Sequence, residues 1–342
     1  MTHAENVVVK IQTQQGIIGF GECSPFLSIN GESMDTCYIV GQYLAKKLKG
    51  MDAQNIAANI LAMDTVIYGN HSIKSAFDMA LYDIAAKQAN LPLYAFLGGN
   101  NNKKITTDYT VSFDTADKMA ADAIWIKEKG FSIIKVKLGG TVQADIERIQ
   151  KIREAVGMEI PIRIDANQGW DVPTAIEILK ALAPYNIQHC EEPIPRWNFM
   201  QLTYISANSP IKIMADESCC SPYDAARLVD INACKLLNVK LGKSGGIFNA
   251  LQIIDIAQKN NLQVQLGGFL ESTLAFTAAA HLALCSHTIA YYDFDTCLMF
   301  THNPVIGGIT YNNVGEITVP ETAGIGAYID EAFLKELPSV IV

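Results

Sequence analysis

Three acidic residues, each at the end of a short apolar run, are the first groups in this sequence that could do chemistry. They are Asp165 in RIDANQGW, Glu191 in HCEEP and Asp216 in MADES. Carboxylate oxygens are the ligands that Mg²⁺ prefers, and three of them leave coordination positions open for water or substrate. His189 and Cys190 precede Glu191, but no histidine or cysteine stands at the matching positions themselves, so zinc is disfavoured. The alternative is that the three acids cap the helices that follow them.

Lysines form the second chemical group. Lys135 and Lys137 alternate with apolar residues in IIKVKLGG and therefore point to the same side of a strand, and Lys240 ends the run NVK. An amine abstracts a proton only when it is neutral, and a neighbouring cation disfavours its charged form, so Lys135 and a bound metal would favour Lys137 as a base. Two lysines on opposite sides of a metal-bound carboxylate could remove and return an α-proton on opposite faces, which is racemisation or epimerisation. The alternative for Lys135 is a structural ion pair with a nearby acid.

Eight β-rich runs separated by helical patterns would position these groups. The runs are 106–112, 132–137, 161–165, 187–191, 211–216, 235–240, 262–266 and 289–293. Eight alternating strands and helices predict a closed (β/α) barrel, whose chemistry lies at the carboxyl ends of the strands. The ionisable residues at those ends are Lys137, Asp165, Glu191, Asp216, Lys240 and Asp293. An open doubly wound sheet is the alternative, but no glycine-rich phosphate turn follows the first run.

Smaller elements are predicted on both sides of these eight units. Runs 7–12 and 17–22 indicate a hairpin, and apolar periodicity indicates helices near 34–49, 53–65 and 71–89. In the tail, GGITYNNVGEITVP is typical of a hairpin and could return to the N-terminal region.

Composition narrows the class of protein. The 342 residues are 49% hydrophobic with a net charge of -9, which allows a sizeable core and argues against a nucleic-acid surface. No apolar run approaches the roughly 20 residues of a membrane span, and no secretory signal is visible at the N-terminus. The eight cysteines include no CxxC pair, so we expect reduced thiols in the cytoplasm.

Taken together, the motifs resemble the muconate-lactonizing subgroup of the enolase superfamily. The motifs that carry the resemblance extend over nearly the whole chain and are GFGE, KVK, RIDANQGW, EEP, ADES, NVKLGKSGG and YYDFD. The resemblance implies an α+β capping domain formed by residues 1–104, a (β/α) barrel with the active site in 105–304, and a C-terminal segment, 305–342, that returns to the cap. It also implies Mg²⁺ on Asp165, Glu191 and Asp216, with Lys137 and Lys240 as the acid/base pair. Because barrels of this family would be unsurprising as dimers or octamers, we expect a homo-oligomer.

Within that subgroup, the sequence DFD is informative. Asp293 and Asp295 resemble the DxD motif of dipeptide epimerases, in which the two acids hold the α-ammonium group of a dipeptide. Anions at a fixed distance from a metal suit a substrate with one cationic and one anionic terminus. Thr110 matches a residue near the dipeptide backbone, and Lys135 is a further candidate for substrate binding. By the same resemblance, Lys137 would act on the L-configured carbon and Lys240 on the D-configured carbon. The alternative for DFD is one helix-capping and one solvated aspartate.

The sequence departs from the family pattern in two places. The family has a further strand before NVVVKI, and this chain begins about one strand later. The capping loop also lacks Arg or Lys between Gly21 and Cys37, where epimerases acting on Ala-Glu carry a basic residue. Phe26 and Ile29 instead suggest a small or apolar C-terminal residue in the substrate. Glu32 in the same loop would also be compatible with a cationic side chain on that residue.

We therefore predict a Mg²⁺-dependent dipeptide epimerase that transfers a proton at the α-carbon of the C-terminal residue through a metal-stabilised enediolate. The expected substrate is Ala-Ala or Ala with an apolar residue. A cycloisomerase or an o-succinylbenzoate-synthase-like enzyme of the same fold is the first alternative, and intact Asp293 and Asp295 count against it. A non-catalytic, metal-dependent binding protein is the second, and Lys137 and Lys240 count against that one.

Overall fold

A hairpin and three long helices form the N-terminal part of the protein. In the computed structural model, which describes residues 3–342, strands Val7–Gln12 and Ile18–Cys23 pair antiparallel. A short helix, Leu27–Asn30, follows the hairpin and precedes the helices Met34–Leu48, Ile56–Val66 and His71–Gln88. The predicted hairpin and helices are confirmed to within about three residues.

Two glycines of the GFGE motif allow the second strand to lie directly on the helix His71–Gln88. A Cβ atom on Gly21 would lie 1.8 Å from the carbonyl oxygen of Ala76, and one on Gly19 would lie 2.2 Å from that of Ala80. Any side chain at these positions would separate strand and helix. The helix is buried from Ser72 to Ala86, because it is covered on all sides.

Eight parallel strands follow, and they lie in one sheet in chain order. Their bounds are Tyr109–Val111, Ile134–Lys137, Ile162–Asp165, Ile187–Glu191, Ile213–Ala215, Leu236–Lys240, Gln263–Gly267 and Ile289–Tyr292. The peptide N–H of Asp108 donates to the carbonyl oxygen of Tyr292 at 3.3 Å. This bond brings the first and eighth strands together, so the predicted barrel is confirmed.

Seven longer helices alternate with the barrel strands. They are Ala116–Glu128, Val142–Val156, Val172–Ala181, Leu202–Asn208, Pro222–Asp230, Ile247–Lys259 and Thr273–Ala283. The helix Ile247–Lys259 is preceded by a separate helical turn, Leu241–Ser244, which begins directly after the sixth strand.

The C-terminal tail contains the predicted hairpin and returns to the N-terminal part. Strand Thr310–Tyr311 pairs with Glu316–Thr318, which also pairs with Ile105–Thr106 ahead of the barrel. A second pair joins Val305–Gly307 to Ala327–Ile329, and the helix Glu331–Glu336 follows. The N–H of Ile325 donates to Asp83 on the helix His71–Gln88 at 2.8 Å.

Within residues 3–342, no helix combines the length and the apolar character needed to cross a membrane.

A buried histidine joins the barrel, the N-terminal part and the tail. His281, on the helix Thr273–Ala283, accepts a hydrogen bond from the N–H of Tyr94 at its Nδ1 atom, 3.1 Å away. Its Nε2 atom lies 2.9 Å from the carbonyl oxygen of Ile325 and therefore carries the proton. Burial lowers the pKa of His281 to about 4, against smaller opposing effects of the Ile325 carbonyl and of Glu321.

Because the unfolded chain takes up a proton at His281 near pH 6.5 and the folded chain does so only near pH 4, stability contributed by this residue is lost as the pH falls between those values. From pH 7 to pH 5 we expect a loss of about 2 kcal/mol in the free energy of unfolding. Urea unfolding of the wild type and of His281→Gln at both pH values measures it. The variant should be less stable at pH 7 but should lose about 2 kcal/mol less on acidification. An identical pH dependence in the two proteins would contradict this assignment.

Candidate active site at the barrel mouth

The predicted site residues lie together at the carboxyl ends of the barrel strands. Lys137, Asp165, Glu191 and Lys240 are the last residues of the second, third, fourth and sixth strands. Asp216 and Asp293 immediately follow the fifth and eighth strands. One rim of the barrel therefore carries all six.

The acid trio (Asp165, Glu191 and Asp216) does not cap helices. The helices after the third and fifth strands are capped by the side chains of Asp171 and Ser221, and the helix Leu202–Asn208 after the fourth strand has no side-chain cap. All three members of the trio are buried, with 0–1% of their surface exposed. Their oxygens instead accept contacts from lysine side chains, so the alternative that they serve as N-caps is wrong.

Lys135 lies at the centre of the rim acids. Its Nζ atom is 2.9 Å from Glu191, 3.1 Å from Asp165 and 2.8 Å from Asp293. Burial opposes its charge, but these carboxylates outweigh burial and raise the pKa of Lys135 well above its ordinary value. The structural ion pair considered for Lys135 is therefore present. A role in substrate binding stays a prediction.

The two candidate bases flank the trio on opposite sides. The Nζ atom of Lys137 lies 2.7 Å from Asp165 Oδ2, and that of Lys240 lies 2.8 Å from Asp216 Oδ2. The side chain of Lys137 is 29% exposed, whereas that of Lys240 is 7% exposed. In a barrel of eight strands, the second and sixth face each other across the mouth, so the two amines approach the mouth from opposite sides.

Lys243 is buried, although it follows the sixth strand in a glycine-rich stretch, LGKSGG, that suggests an exposed loop. The turn Leu241–Ser244 directs its side chain back into the barrel, where its Nζ atom lies 2.6 Å from Asp216 Oδ1. Burial alone would raise the pKa of Asp216, but Lys240 and Lys243 hold it well below the ordinary value. Glu192, the residue after Glu191, is buried and accepts the N–H of Asp216 at 2.7 Å.

Two amides missed at the sequence level orient Glu191. Asn238 Nδ2 donates to Glu191 Oε1 at 2.7 Å, and Gln265 Nε2 donates to Glu191 Oε2 at 3.2 Å. Both amides are completely buried. Asn238 precedes Lys240 by two residues on the sixth strand, so a polar residue alternating with the base was the signal that could have revealed it.

A second set of carboxylates lies beside the first and eighth strands. The aspartate group (Asp108, Asp293 and Asp295) is, in the part of the chain that the structure describes, the one set of three acids whose oxygens come within 4.8 Å of one another. Each member already contacts a protein donor: Asp108 meets Arg163 at 2.7 Å, Asp293 meets Lys135, and Asp295 accepts the N–H of Thr110 at 2.7 Å. Thr110 acts here through its backbone, and the sequence did not reveal Asp108.

The mouth holds more acid than base. Eight acids and five bases lie in or directly behind it, a formal charge of −3 if all ionise: Asp108, Asp165, Glu191, Glu192, Asp216, Glu217, Asp293 and Asp295, with Lys135, Lys137, Arg163, Lys240 and Lys243. Burial raises the pKa of Glu191, Glu192 and Asp295 to about 7 and that of Glu217 to about 8, and neighbouring carboxylates add to the effect. Further positive charge would relieve this excess.

The acid trio fits Mg²⁺. Its donor set is oxygen only, it comes from three adjacent strands, and it belongs to a cluster with surplus negative charge. A divalent cation would compete with Lys137 and Lys240 for the oxygens of Asp165 and Asp216 and would thereby free both amines.

The predicted specificity loop is connected to Lys240 through Phe269. Phe26 stacks on Phe269, which follows the seventh strand, with ring centroids 5.8 Å apart. The centroid of the Phe269 ring is 4.9 Å from Lys240 Nζ. The carbonyl oxygen of Ile29 accepts a hydrogen bond from Arg196 on the barrel. Phe26 thus lies at the site, and Ile29 anchors the loop through its backbone.

Comparisons with known proteins agree with this architecture. The model of the mandelate racemase / muconate lactonizing enzyme N-terminal domain matches residues 1–98, and that of the enolase C-terminal domain-like family matches residues 118–333. A D-Ala-D/L-Ala epimerase from Cytophaga hutchinsonii is 60% identical over the whole chain and 93% of its own length. A hydrophobic dipeptide epimerase from Enterococcus faecalis is 36% identical over 94% of this chain and 91% of its own length.

A solved structure is similar throughout. The dipeptide epimerase from Cytophaga hutchinsonii, complexed with Mg and the dipeptide D-Ala-L-Val, superposes with a TM-score of 0.98 at 60% identity. The match covers 99% of this chain and 92% of that one.

Removing the amide donors should weaken metal binding, because Glu191 would no longer be held in one orientation. We expect Asn238→Leu and Gln265→Met each to raise the Mg²⁺ dissociation constant about 10- to 100-fold. Calorimetric titration of metal-free protein with MgCl₂, without dipeptide, measures this. Asn260→Leu, an exposed amide on a distant helix, is the control. Unchanged affinity in both folded variants would show that these amides do not position Glu191.

Proposed function

This chain belongs to the mandelate racemase / muconate lactonizing enzyme family of the enolase superfamily, and we propose that within it the protein is a Mg²⁺-dependent dipeptide epimerase. It inverts the α-carbon of the C-terminal residue of a dipeptide, and is thus an isomerase. The observation that carries the proposal is the pair of amines, Lys137 and Lys240, on opposite sides of the acid trio, with Asp293 and Asp295 across the mouth.

The arrangement provides one location for each end of a dipeptide. The acid trio lies on the third to fifth strands, and Asp293 and Asp295 follow the eighth strand on the far side of the barrel. A dipeptide whose carboxylate points to the trio and whose α-ammonium points to Asp293 and Asp295 crosses the mouth along this line. Its C-terminal α-carbon then lies between the second and sixth strands, where Lys137 and Lys240 end.

Each base has one task in each direction. The neutral amine of Lys137 takes the α-proton of the L-epimer, the electron pair of the broken C–H bond moves into the carboxylate, and the ammonium of Lys240 donates a proton to the opposite face. The reverse sequence converts the D-epimer. A bound Mg²⁺ would stabilise the negative charge on the carboxylate while the α-proton is absent.

Lys135 and Thr110 support this geometry. Lys135 ties Asp293 to Glu191 and Asp165, which fixes the distance between the two ends of the substrate site. Thr110 fixes Asp295 through its N–H group. Phe26 and Ile29 belong to the loop that covers the C-terminal residue, and we propose Ala-Ala or Ala with an apolar residue as the substrate.

The remaining parts of the proposal concern the protein as a whole. We propose that residues 1–104 and 305–342 form the cap and that 105–304 form the catalytic barrel. We also propose a cytoplasmic homo-oligomer. The eight free cysteines suit a reducing compartment, and sedimentation velocity measures the oligomeric state.

Incubation of a dipeptide library with protein and Mg²⁺ in D₂O tests the activity. Mass spectrometry should find one deuterium at the C-terminal α-carbon of Ala-Ala and of Ala-apolar dipeptides. Removal of Mg²⁺ with a chelator should abolish the exchange. The absence of deuterium from every dipeptide would contradict the proposal and favour another reaction of the fold or a non-catalytic role.

Single-lysine variants test the two bases separately. Lys137→Ala should slow epimerisation in both directions by about 10³-fold or more, because one of the two proton transfers is lost. The remaining Lys240 should still exchange the α-proton of the D-epimer, while exchange from the L-epimer stops. Lys240→Ala should show the opposite pattern.

Lys180→Ala, an exposed lysine on the helix Val172–Ala181, is the matched control and should behave as the wild type. Normal epimerisation by Lys137→Ala, or loss of exchange from the same epimer in both variants, would show that the assignment of the two bases is wrong.

A further inference from the structure

Phe269 is an apolar residue at the mouth that no step of the proposed reaction uses. It lies two residues beyond the seventh strand and is 9% exposed. Its ring contacts two other residues. The ammonium of Lys240 lies 4.9 Å from the ring centroid, and the ring of Phe26 is inclined by 30° to the ring of Phe269. We call Phe26 and Phe269 together the aromatic wall.

The cap and the barrel together fix the segment that carries Phe269. The N–H of Leu270 donates to Ser24 Oγ at 3.2 Å, and its carbonyl accepts Asn6 Nδ2 at 2.9 Å. Ser272 donates to Glu22 through its N–H at 3.0 Å and through its hydroxyl at 2.7 Å. Because the segment that follows Phe269 is held in this way, the ring has a defined position rather than that of a free loop side chain.

The position of the ring relative to the base limits the shape of the substrate. Three directions from the α-carbon are assigned by the proposed function: the carboxylate toward the acid trio, the nitrogen toward Asp293 and Asp295, and the proton toward Lys137 or Lys240. The side chain takes the remaining direction, which leads out of the barrel toward the cap. The aromatic wall borders that direction on the Lys240 side, because Phe26 comes from the cap and Phe269 touches the base.

The chemistry of the wall favours small apolar side chains. Aromatic rings offer a charged or polar side chain no hydrogen bond to replace the water that it loses. Among the described residues, the cation over the ring of Phe269 is the base itself, and Arg196 directs one N–H of its guanidinium to the carbonyl of Ile29. A branched or aromatic side chain would have to displace the ring of Phe269, which stacks on Phe26 of the cap.

We propose that Phe269, together with Phe26, determines specificity by restricting the C-terminal residue of the dipeptide to small apolar side chains. This inference rests on the proposed epimerase function. Phe269 is assigned to recognition of the side chain, and not to proton transfer.

Relative rates on a defined set of dipeptides test the inference. The probes are Ala-Ala, Ala-Leu and Ala-Phe, each with D-Ala and with L-Ala at the N-terminus, and the readout is kcat/KM for epimerisation. Phe269→Ala should raise the ratio of Ala-Leu or Ala-Phe to Ala-Ala at least tenfold, because the opened space accepts several additional carbons. Phe269→Leu should shift the ratio in the same direction by less, and Phe26→Ala should also raise it.

Phe333→Ala, on the terminal helix away from the mouth, is the matched ring deletion and should leave the ratio unchanged. A ratio of rates is insensitive to a general loss of folded protein, so a merely structural role for Phe269 would not move it. Ratios within twofold of the wild type in Phe269→Ala, Phe269→Leu and Phe26→Ala, while the wild type exchanges deuterium into Ala-Ala, would overturn the inference and leave the function standing. No exchange by the wild type would overturn both.

Discussion

Lysine–carboxylate contacts at low solvent exposure hold the mouth of this barrel together. Lys135 is 2% exposed and lies within 3.1 Å of three carboxylates from the third, fourth and eighth strands. A buried charge is costly unless it is paired, and removing one partner leaves the others uncompensated. This explains why one short strand carries two lysines on the same side. Lys135 neutralises and spaces the acids, which leaves Lys137 at the more exposed rim to meet the substrate.

The site depends on a further polar layer below the rim. Arg163 pairs with Asp108 at 2.7 Å and also donates to the carbonyl of Tyr292, while Asn238 and Gln265 hold Glu191. Apolar side chains would fill a barrel interior more cheaply, because every buried polar group must find a partner. The polar interior is therefore best understood as a support that fixes carboxylate orientations, since ligand groups placed loosely bind metal and substrate weakly.

Sequence alone located the ends of the strands, because alternation and the βα repeat determine which residues reach one rim. It failed where position depends on a turn or on a distant segment. Lys243 reads as a loop residue, and only the turn Leu241–Ser244 returns it to Asp216. Asp108 lies in the predicted first run, but its partner Arg163 is on another strand. Phe269 acquires its position because Leu270 and Ser272, which follow it, bind Asn6, Ser24 and Glu22 near the other end of the chain. The positions of the acid trio and of the two bases could thus be predicted from the sequence. The residues that hold them in place, such as Lys243 and Arg163, could not.

The connection between cap and barrel separates recognition from chemistry. Glu22, a buried carboxylate on the second strand of the cap, accepts both donors of Ser272 and the N–H of Ala275, so it holds the start of the helix Thr273–Ala283 and the segment before it. Burial raises the pKa of Glu22, and these hydrogen bonds, with a further one from the Asn6 amide at 2.7 Å, offset part of the cost. The bases and the acid trio come from strands that the barrel itself fixes, whereas Phe26 and the flanks of Phe269 depend on the cap. Substitutions in the cap loop therefore need not move Lys137 or Lys240, whose positions are set by the barrel strands.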